Sequence, residues 1–457
     1  LTKEKYYVKL LHNIKININY LEIRMNISEI SSDEFQTNWK GKFFTIFAGQ
    51  AFSLFGSALV QFALVWYLTQ QTGSATILAT ATLVAMLPQI ILGPFVGALV
   101  DRWDRRLVMM VADGAIALVT LALAALFLFG LVQVWHIYLI LLLRSAGGAF
   151  HWPAMQASTS LMVPKEQLSR IAGMQQTLHG LVSIIAPPTG AVLISLLPTQ
   201  GVLMIDVVTA LLAILPLVFI SIPQPARQQT ESGEHATSYW QDVREGFAYV
   251  ARWPGLLAIL LMATLGNFLL TPTGALMPLL VTKHFGLGAL EFGLTDSLWG
   301  IGMIAGGLLL SVWGGFKRRV LTSMLGIIGL GLGVVTVGFT PANMFWLALA
   351  GMAFMGFMNP MTNGPLHAII QTAVKPEMQG RVMSLISSAA TAMTPLSLAV
   401  AGPVSDLVGI RAWYIFGGVV CLLMGAGALF IPAIMNVETN HTEKTVQPPA
   451  GAAAVIQ

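Results

Sequence analysis

Charge is scarce in this sequence: only 10% of its 457 residues are Asp, Glu, Lys or Arg, against roughly 25% in soluble domains. The hydrophobic fraction is 56% and the mean hydropathy +0.75. So little charge cannot coat a soluble surface of this size, and the solvent of the chain is lipid. There is one cysteine, Cys421, inside an apolar run, which excludes a disulfide framework and reads as a small packing residue. H-E-x-x-H, a Walker lysine loop and a serine or aspartyl protease pair are all missing, and the histidines lack metal-ligand spacing, so neither an enzyme nor a metal or cofactor is expected. "GIGMIAGG" (300–307) mimics a dinucleotide fingerprint, but inside an apolar helix it reads as glycine packing. The pI near 9.2 does not point to nucleic acid, because the basic residues sit at the ends of apolar runs, where they orient helices.

What is present is apolar runs of spanning length. They fall at 43–69, 75–100, 107–130, 135–158, 171–197 and 201–222, and, after a polar stretch, at 255–283, 290–314, 319–340, 343–368, 378–408 and 411–435. At about 20 apolar residues per span, this predicts an all-α polytopic membrane protein of twelve transmembrane helices, two six-helix repeats around a central cavity. The domain plan is a polar tail 1–39, a first half 40–222, a linker 223–254, a second half 255–435 and a C-terminal tail 436–457. The repeat is visible in sequence: "VPKEQLSRIAG" (163–173) aligns with "VKPEMQGRVMS" (374–384), matching Glu166 to Glu377 and Arg170 to Arg381. In the linker, "YWQDVREGFAYVARWPG" places Tyr239, Val243, Phe247 and Val250 at helical spacing, an amphipathic helix expected along the membrane surface.

Basic residues alternate between connections. Lys40, Lys42, Arg102, Arg105, Arg106, Lys165, Arg170, Lys317, Arg318, Arg319, Lys375 and Arg381 fall on one side with the linker, while the other side has only Lys283 and Arg411. The linker and both termini are therefore expected in the cytoplasm. Residues 1–24 differ in character from the rest, and Met25 is expected as the authentic start. The polar stretch before the first run predicts no cleavable secretory signal.

The charges cluster most at "GALVDRWDRR" (97–106), between the second and third runs. Gly97 and Gly93 are expected to allow close helix approach, and Asp101 to accept hydrogen bonds from a neighbouring helix end or an arginine. This G-x-x-x-D-R-x-x-R-R turn resembles the signature loop of the major facilitator superfamily. That likeness implies a conformational latch of Gly97, Asp101, Arg102, Arg105 and Arg106. Asp104 stands where the family usually has glycine, and Ser311 and Val312 replace the Asp-Arg pair in the second copy. "RSAGGAF" resembles the family's Arg-x-x-x-Gly motif, with Arg144 near mid-membrane and Gly148 one turn on. "GLVSIIAPPTGA" resembles a degenerate drug/proton antiporter motif that retains Pro187 and Gly190 but has Ala186 and Ala191 for glycines. The overall character is most similar to the macrolide-efflux branch of bacterial multidrug exporters.

Ionisable groups inside spans are costly unless paired or watered. Asp296, Asp113 and Asp206 are the candidate proton carriers, with Asp296 first, and Arg144 modulates a nearby carboxylate or binds an acidic group. Asp113 alternatively caps or pairs near the charged loop, and Asp206 alternatively makes a helix-end interaction. Polar stripes at helical spacing mark a substrate cavity: Gln50, Ser53, Ser57 and Gln61 in the first run; Asn359, Asn363 and His367 beside Met352 and Met355 in the tenth; Asn267 and Thr271 in the seventh. Interhelical hydrogen bonding is the alternative use of these amides. His151, His179 and His367 read as structural. The resemblance implies a monomeric bacterial plasma-membrane exporter exchanging protons for drugs by alternating access, its partners being a small-molecule substrate, protons and the lipid bilayer. The alternative is export of a specific metabolite, siderophore or lysophospholipid, or uptake.

Overall fold

The computed structural model describes residues 39–223, 239–374 and 376–438. The proposed start at Met25 and the two tails beyond these bounds lie outside the described residues. The first half comprises α1 (Trp39–Thr72), α2 (Ala75–Arg102), α3 (Arg105–Leu128), α4 (Val134–Met162), α5 (Leu168–Leu196) and α6 (Thr199–Phe219). After the linker helix α7 (Tyr239–Ala251) come α8 (Pro254–Leu279), α9 (Ala289–Trp313), α10 (Arg319–Phe339), α11 (Phe345–Ala373), α12 (Pro376–Val408), α13 (Ile410–Ala428) and the short α14 (Pro432–Met435). Among the described residues, ten helices are long and apolar enough to cross a membrane. Helices α4 and α11 stand apart from those ten because Arg144, His151, Asn359 and Asn363 interrupt their apolar runs.

Side-chain chemistry sets the helix ends. Gly73, at φ +58°, turns the chain between α1 and α2, a left-handed conformation that costs glycine little. Asp104 caps α3 by accepting from the N–H groups of Arg106 (2.9 Å) and Leu107 (3.2 Å), which accounts for an acid where glycine is usual. Arg411 donates to the carbonyl of Gly338 at 2.9 Å, a cation at the C-terminal end of α10. The last span ends earlier than its apolar run: α13 stops at Ala428 and Pro432 starts α14. This terminal segment turns back, and Glu438 accepts the backbone N–H of Val320 in the first turn of α10 at 2.8 Å.

Within the first half α1 packs on α5 and α6, α4 on α2 and α3, and α3 on α6; within the second half α8 packs on α12 and α13, α11 on α9 and α10, and α10 on α13. Between the halves, α5 meets α9 and α2 meets α12. One buried cluster crosses between the halves at the end where α1 joins α2 (the hairpin end), with Phe62 and Trp66 stacked on Phe292 at ring-centroid distances of 5.0 and 6.2 Å. At the opposite (linker) end the cores are separate, one around Trp39, Met109 and Leu217, the other around Trp253, Val320 and Ile370. The bundle is therefore joined at one end and parted at the other.

The expectation for Gly93 and Gly97 is corrected by this parting: nothing lies within 4 Å of a Cβ built at either. They sit toward the linker end of α2, where the halves are apart. The side chain of Asp101, and with it the latch assigned to it, lies outside the described residues. Arg105 and Arg106 are engaged within their own half, Arg105 Nη1 donating to Ala157 O at 3.2 Å and Arg106 Nη2 to Val218 O at 2.5 Å. The linker helix rests on α12 through Arg381 Nη1 and Glu245 Oε2 at 2.5 Å, and buries Val250 while Phe247 stays exposed. The side chains of Tyr239 and Val243 are outside the described residues.

"GIGMIAGG" packs α9 against α11. A Cβ at Gly302 would sit 2.0 Å from the carbonyl oxygen of Ala353, and one at Gly306 2.1 Å from that of Phe357. Gly306→Leu should therefore destabilise the fold by about 1–3 kcal/mol or more. It should lower the yield of monodisperse protein in detergent and its melting temperature. Gly307→Ala, one residue on and facing open space, should leave both near wild type.

Candidate functional site

The polar stripe of α1 faces a cavity of about 350 Å³ in the first half, lined by Gln50, Ser53, Ser57 and Gln61 together with Asp113, Arg144, His151 and His179. Two linked charge centres are built on it. Asp206 of α6 is 1% exposed and pairs with Arg144 Nη1 at 2.5 Å across from α4. Its other carboxylate oxygen accepts from Ser57 Oγ at 3.0 Å, and the oxygen paired with Arg144, Oδ2, also accepts from Thr120 Oγ1 at 3.2 Å. Helices α1, α3, α4 and α6 thus converge on one carboxylate. The helix-end alternative for Asp206 gives way to an ion pair inside the bundle, which is how a buried charge is held in an apolar medium.

Asp113 forms the second centre, two turns into α3. Gln50 Nε2 donates to Oδ2 at 3.1 Å, and His151 Nε2 stands 3.4 Å from Oδ1. Asp113 is therefore a cavity group and not a partner of the charged loop. His151, read from sequence as structural, belongs to the site. Its distance of seven residues from Arg144 was the available signal, since two helical turns place both on one face of α4.

The second half holds another cavity, about 440 Å³, lined by Asn267, Thr271, Asp296, Trp299, Met355, Asn359 and Asn363 among mainly apolar side chains including Met262, Met324, Met352 and Met424. Asn363 Nδ2 donates to Asn359 O at 3.1 Å. Asp296 makes no hydrogen bond or ion pair with any described residue, and among the described residues it is the one charged group on this lining. His367 is exposed and off the lining. The candidates expected around one central cavity thus divide between two: a hydrogen-bonded, charge-rich lobe in the first half and a methionine-rich lobe with a single carboxylate in the second. Among the described residues, no group of three or more His, Cys, Asp or Glu is placed to hold a metal ion.

The proline motif of α5 sits where the halves meet. Pro188 has no N–H, which leaves the carbonyl of Ile184 without its helical donor. Ser297 Oγ of α9, next to Asp296, donates to that carbonyl at 2.6 Å. Pro187 closes on Gly293, where an added Cβ would lie 2.9 Å from the proline carbonyl, and Gly190 seats the ring of Phe62 in the same way. The second half repeats the device: Pro272 frees the carbonyl of Phe268, and Ser397 Oγ of α12 donates to it at 2.5 Å. These serine donors carry no sequence signal of their own, because a single serine in a span is common and its acceptor lies on another helix.

The sequence matches the family model of the Major Facilitator Superfamily over residues 46–275 and 263–455. It is 35% identical over 387 residues to Macrolide efflux protein A of Streptococcus pyogenes, spanning 84% of this chain and 95% of that protein. It is 26% identical to the multidrug efflux pump Tap of Mycolicibacterium fortuitum, over 84% of this chain and 94% of the pump. In fold it is similar to a bacterial homolog of the human lysosomal transporter Spinster, crystallised in an inward-facing and unoccupied conformation, with a TM-score of 0.63 at 12% identity, covering 90% of this chain and 99% of that one. Buried ionisable groups lining cavities between long apolar helices, together with these likenesses, place the chain in the Major Facilitator Superfamily of membrane transporters, with similarity to its macrolide-efflux branch.

Proposed function

We propose that this protein exports bulky amphipathic compounds, macrolide-like molecules among them, in exchange for protons by alternating access. The observation that carries the reading is the carboxylates on the cavity walls, Asp113 beside a histidine and Asp296 alone among methionines, in a chain 35% identical to a macrolide efflux protein. Twelve spans in two six-helix repeats, 40–222 and 255–435, account for the recurrence of the same helix pairings in both halves. The excess of Lys and Arg at the linker end supports an orientation with that end, and both termini, in the cytoplasm of a bacterial cell. Because the halves are parted at that end, the conformation is the cytoplasm-open one.

The two lobes then have separate duties. In the first, Asp113 exchanges its proton with His151 and Gln50 at hand, while Arg144 and Asp206 form a fixed pair that tethers α4 to α6. In the second, methionine and aromatic surface accommodates varied apolar shapes. Asp296, with no partner among the described residues, holds either a proton or a positive charge on the cargo. Export of an anionic metabolite is the less supported reading, since the arginine that would attract it is already held by Asp206.

Energised inverted vesicles test the whole reading. A fluorescent cationic drug and a radiolabelled macrolide should accumulate in vesicles containing the protein, and a protonophore should abolish both. Persistence under the protonophore would rule out proton antiport, and the absence of uptake of either compound would rule out drug export. Asp296→Asn should abolish accumulation of the cationic drug, and Asp113→Asn should uncouple drug movement from the proton gradient without loss of drug binding.

A separate expectation concerns Arg144. Arg144→Met strands the Asp206 carboxylate without a cation and should cost about 3–5 kcal/mol, seen as loss of the monodisperse peak in detergent. The double variant Arg144→Met with Asp206→Leu should recover most of that peak, whether or not transport returns. Equal instability of the single and double variants would contradict the tethering role.

A further inference from the structure

The first turn of α2 needs acceptors for its free N–H groups, and the protein supplies them from the other half of the molecule. Asp406, in the last turn of α12, accepts from Ala75 N at 2.8 Å with Oδ1. Its Oδ2 accepts from Thr76 N at 2.9 Å, from Ser74 Oγ at 2.9 Å and from Thr76 Oγ1 at 2.7 Å. Ser74 Oγ in turn accepts from Ile77 N at 3.3 Å, so the local cap and the imported one are chained. Gly402, one turn earlier on α12, makes the approach possible, since a Cβ there would lie 2.8 Å from Thr76 Cα. On the other flank Tyr138 Oη donates to Ile77 O at 3.1 Å. Among the described residues no cation pairs with Asp406; the partial positive charge at the start of α2 faces it instead.

We propose that Asp406 is the clasp of the hairpin end: its four hydrogen bonds to Ser74, Ala75 and Thr76 hold the two halves together in the cytoplasm-open conformation, and the outer mouth opens only when α2 leaves it. The inference rests on the alternating-access reading and its orientation. Hydrogen bonds to an ionised acceptor are about twice as strong as neutral ones, and here they concentrate on one side chain at the end where α2 and α12 touch. Both the carboxylate and the first turn of α2 stand at the helix ends, where water can replace the bonds as the helices part. The clasp therefore sets the balance between two conformations and does not forbid either. Asp101 lies in the last turn of the same α2, at the opposite end of the bundle.

Accessibility measured from both sides tests the clasp. In a Cys421→Ser background, Gln61→Cys places a thiol on the first-half cavity, where a membrane-impermeant maleimide reaches it from whichever side is open. Adding Asp406→Ala should raise labelling in intact cells about threefold or more, and lower it in inverted vesicles, as expected for loss of several charge-assisted bonds from one state of a two-state balance. The paired change Ser74→Ala and Thr76→Ala, which removes two hydroxyl donors and keeps both backbone bonds, should give a smaller shift in the same direction. Labelling unchanged from both sides in both variants would overturn the proposal. A dependence on Asp406 with the two sides exchanged would instead overturn the orientation and leave the clasp standing. As a second arm, a disulfide between Thr76→Cys and Asp406→Cys, complete by loss of free thiol, should stop transport until a reductant is added. Transport that survives complete cross-linking would overturn the clasp even if Asp406→Ala fails to fold.

Discussion

A charge inside hydrocarbon has to be answered by another group, and the first half of this molecule is arranged around one such answer. Arg144 and Asp206 come from helices α4 and α6, and the hydroxyls that complete their shell come from α1 and α3. Four helices are fixed relative to one another by what that single pair requires. The cavity wall then follows, because Gln50 and Ser57 must face inward to reach Asp113 and Asp206, and the rest of the α1 stripe turns with them. Among the described residues, the second half has no comparable pair. Its helices approach through glycine, and its cavity carboxylate, Asp296, has no hydrogen-bond or ion-pair partner among the described residues.

Backbone groups obey the same rule as side chains. Prolines inside α5 and α8 each release a carbonyl that lipid cannot solvate, and serines from α9 and α12 supply the missing donors. One of these donations joins the two halves and the other joins helices of the same half. The kinks that prolines introduce are thus tied into the packing and add no unsatisfied polar group at those two carbonyls.

Much of this was legible from the amino acids. Apolar run length fixes the helices to within a few residues because hydrocarbon tolerates few alternatives, and the polar stripe of α1, with Asn359 and Asn363 but not His367 of α11, marks the cavity side because period 3.6 leaves little freedom. The early end of α13 was hidden, since Phe430 and Ile431 continue the apolar run while Pro432 and the docking of Glu438 end the helix. Partners were also hidden. That Asp206 meets Arg144, that His151 meets Asp113 and that Asp406 meets the start of α2 are facts of tertiary approach between residues 62, 38 and about 330 positions apart. Asp406 carries no sequence signal of its own, because an acid near the end of a span looks like ordinary loop charge. Gly93 and Gly97 show the converse: small residues permit contact, but contact also requires a neighbour, and no described atom lies within 4 Å of a Cβ at either.

Ser297 has two acceptors, Ile184 O on the other half at 2.6 Å and Gly293 O on its own helix at 3.1 Å. A hydroxyl so placed keeps a partner whichever way α5 moves, so separating the two helices here strips only one carbonyl and leaves the donor satisfied. Beside it the backbone of Pro187 closes directly on Gly293, and the side chain of Ile184 seats over Gly300 on the same face of α9. At this seam the hydroxyl works as a changeover contact: parting the helices exchanges one acceptor for another and strands no donor.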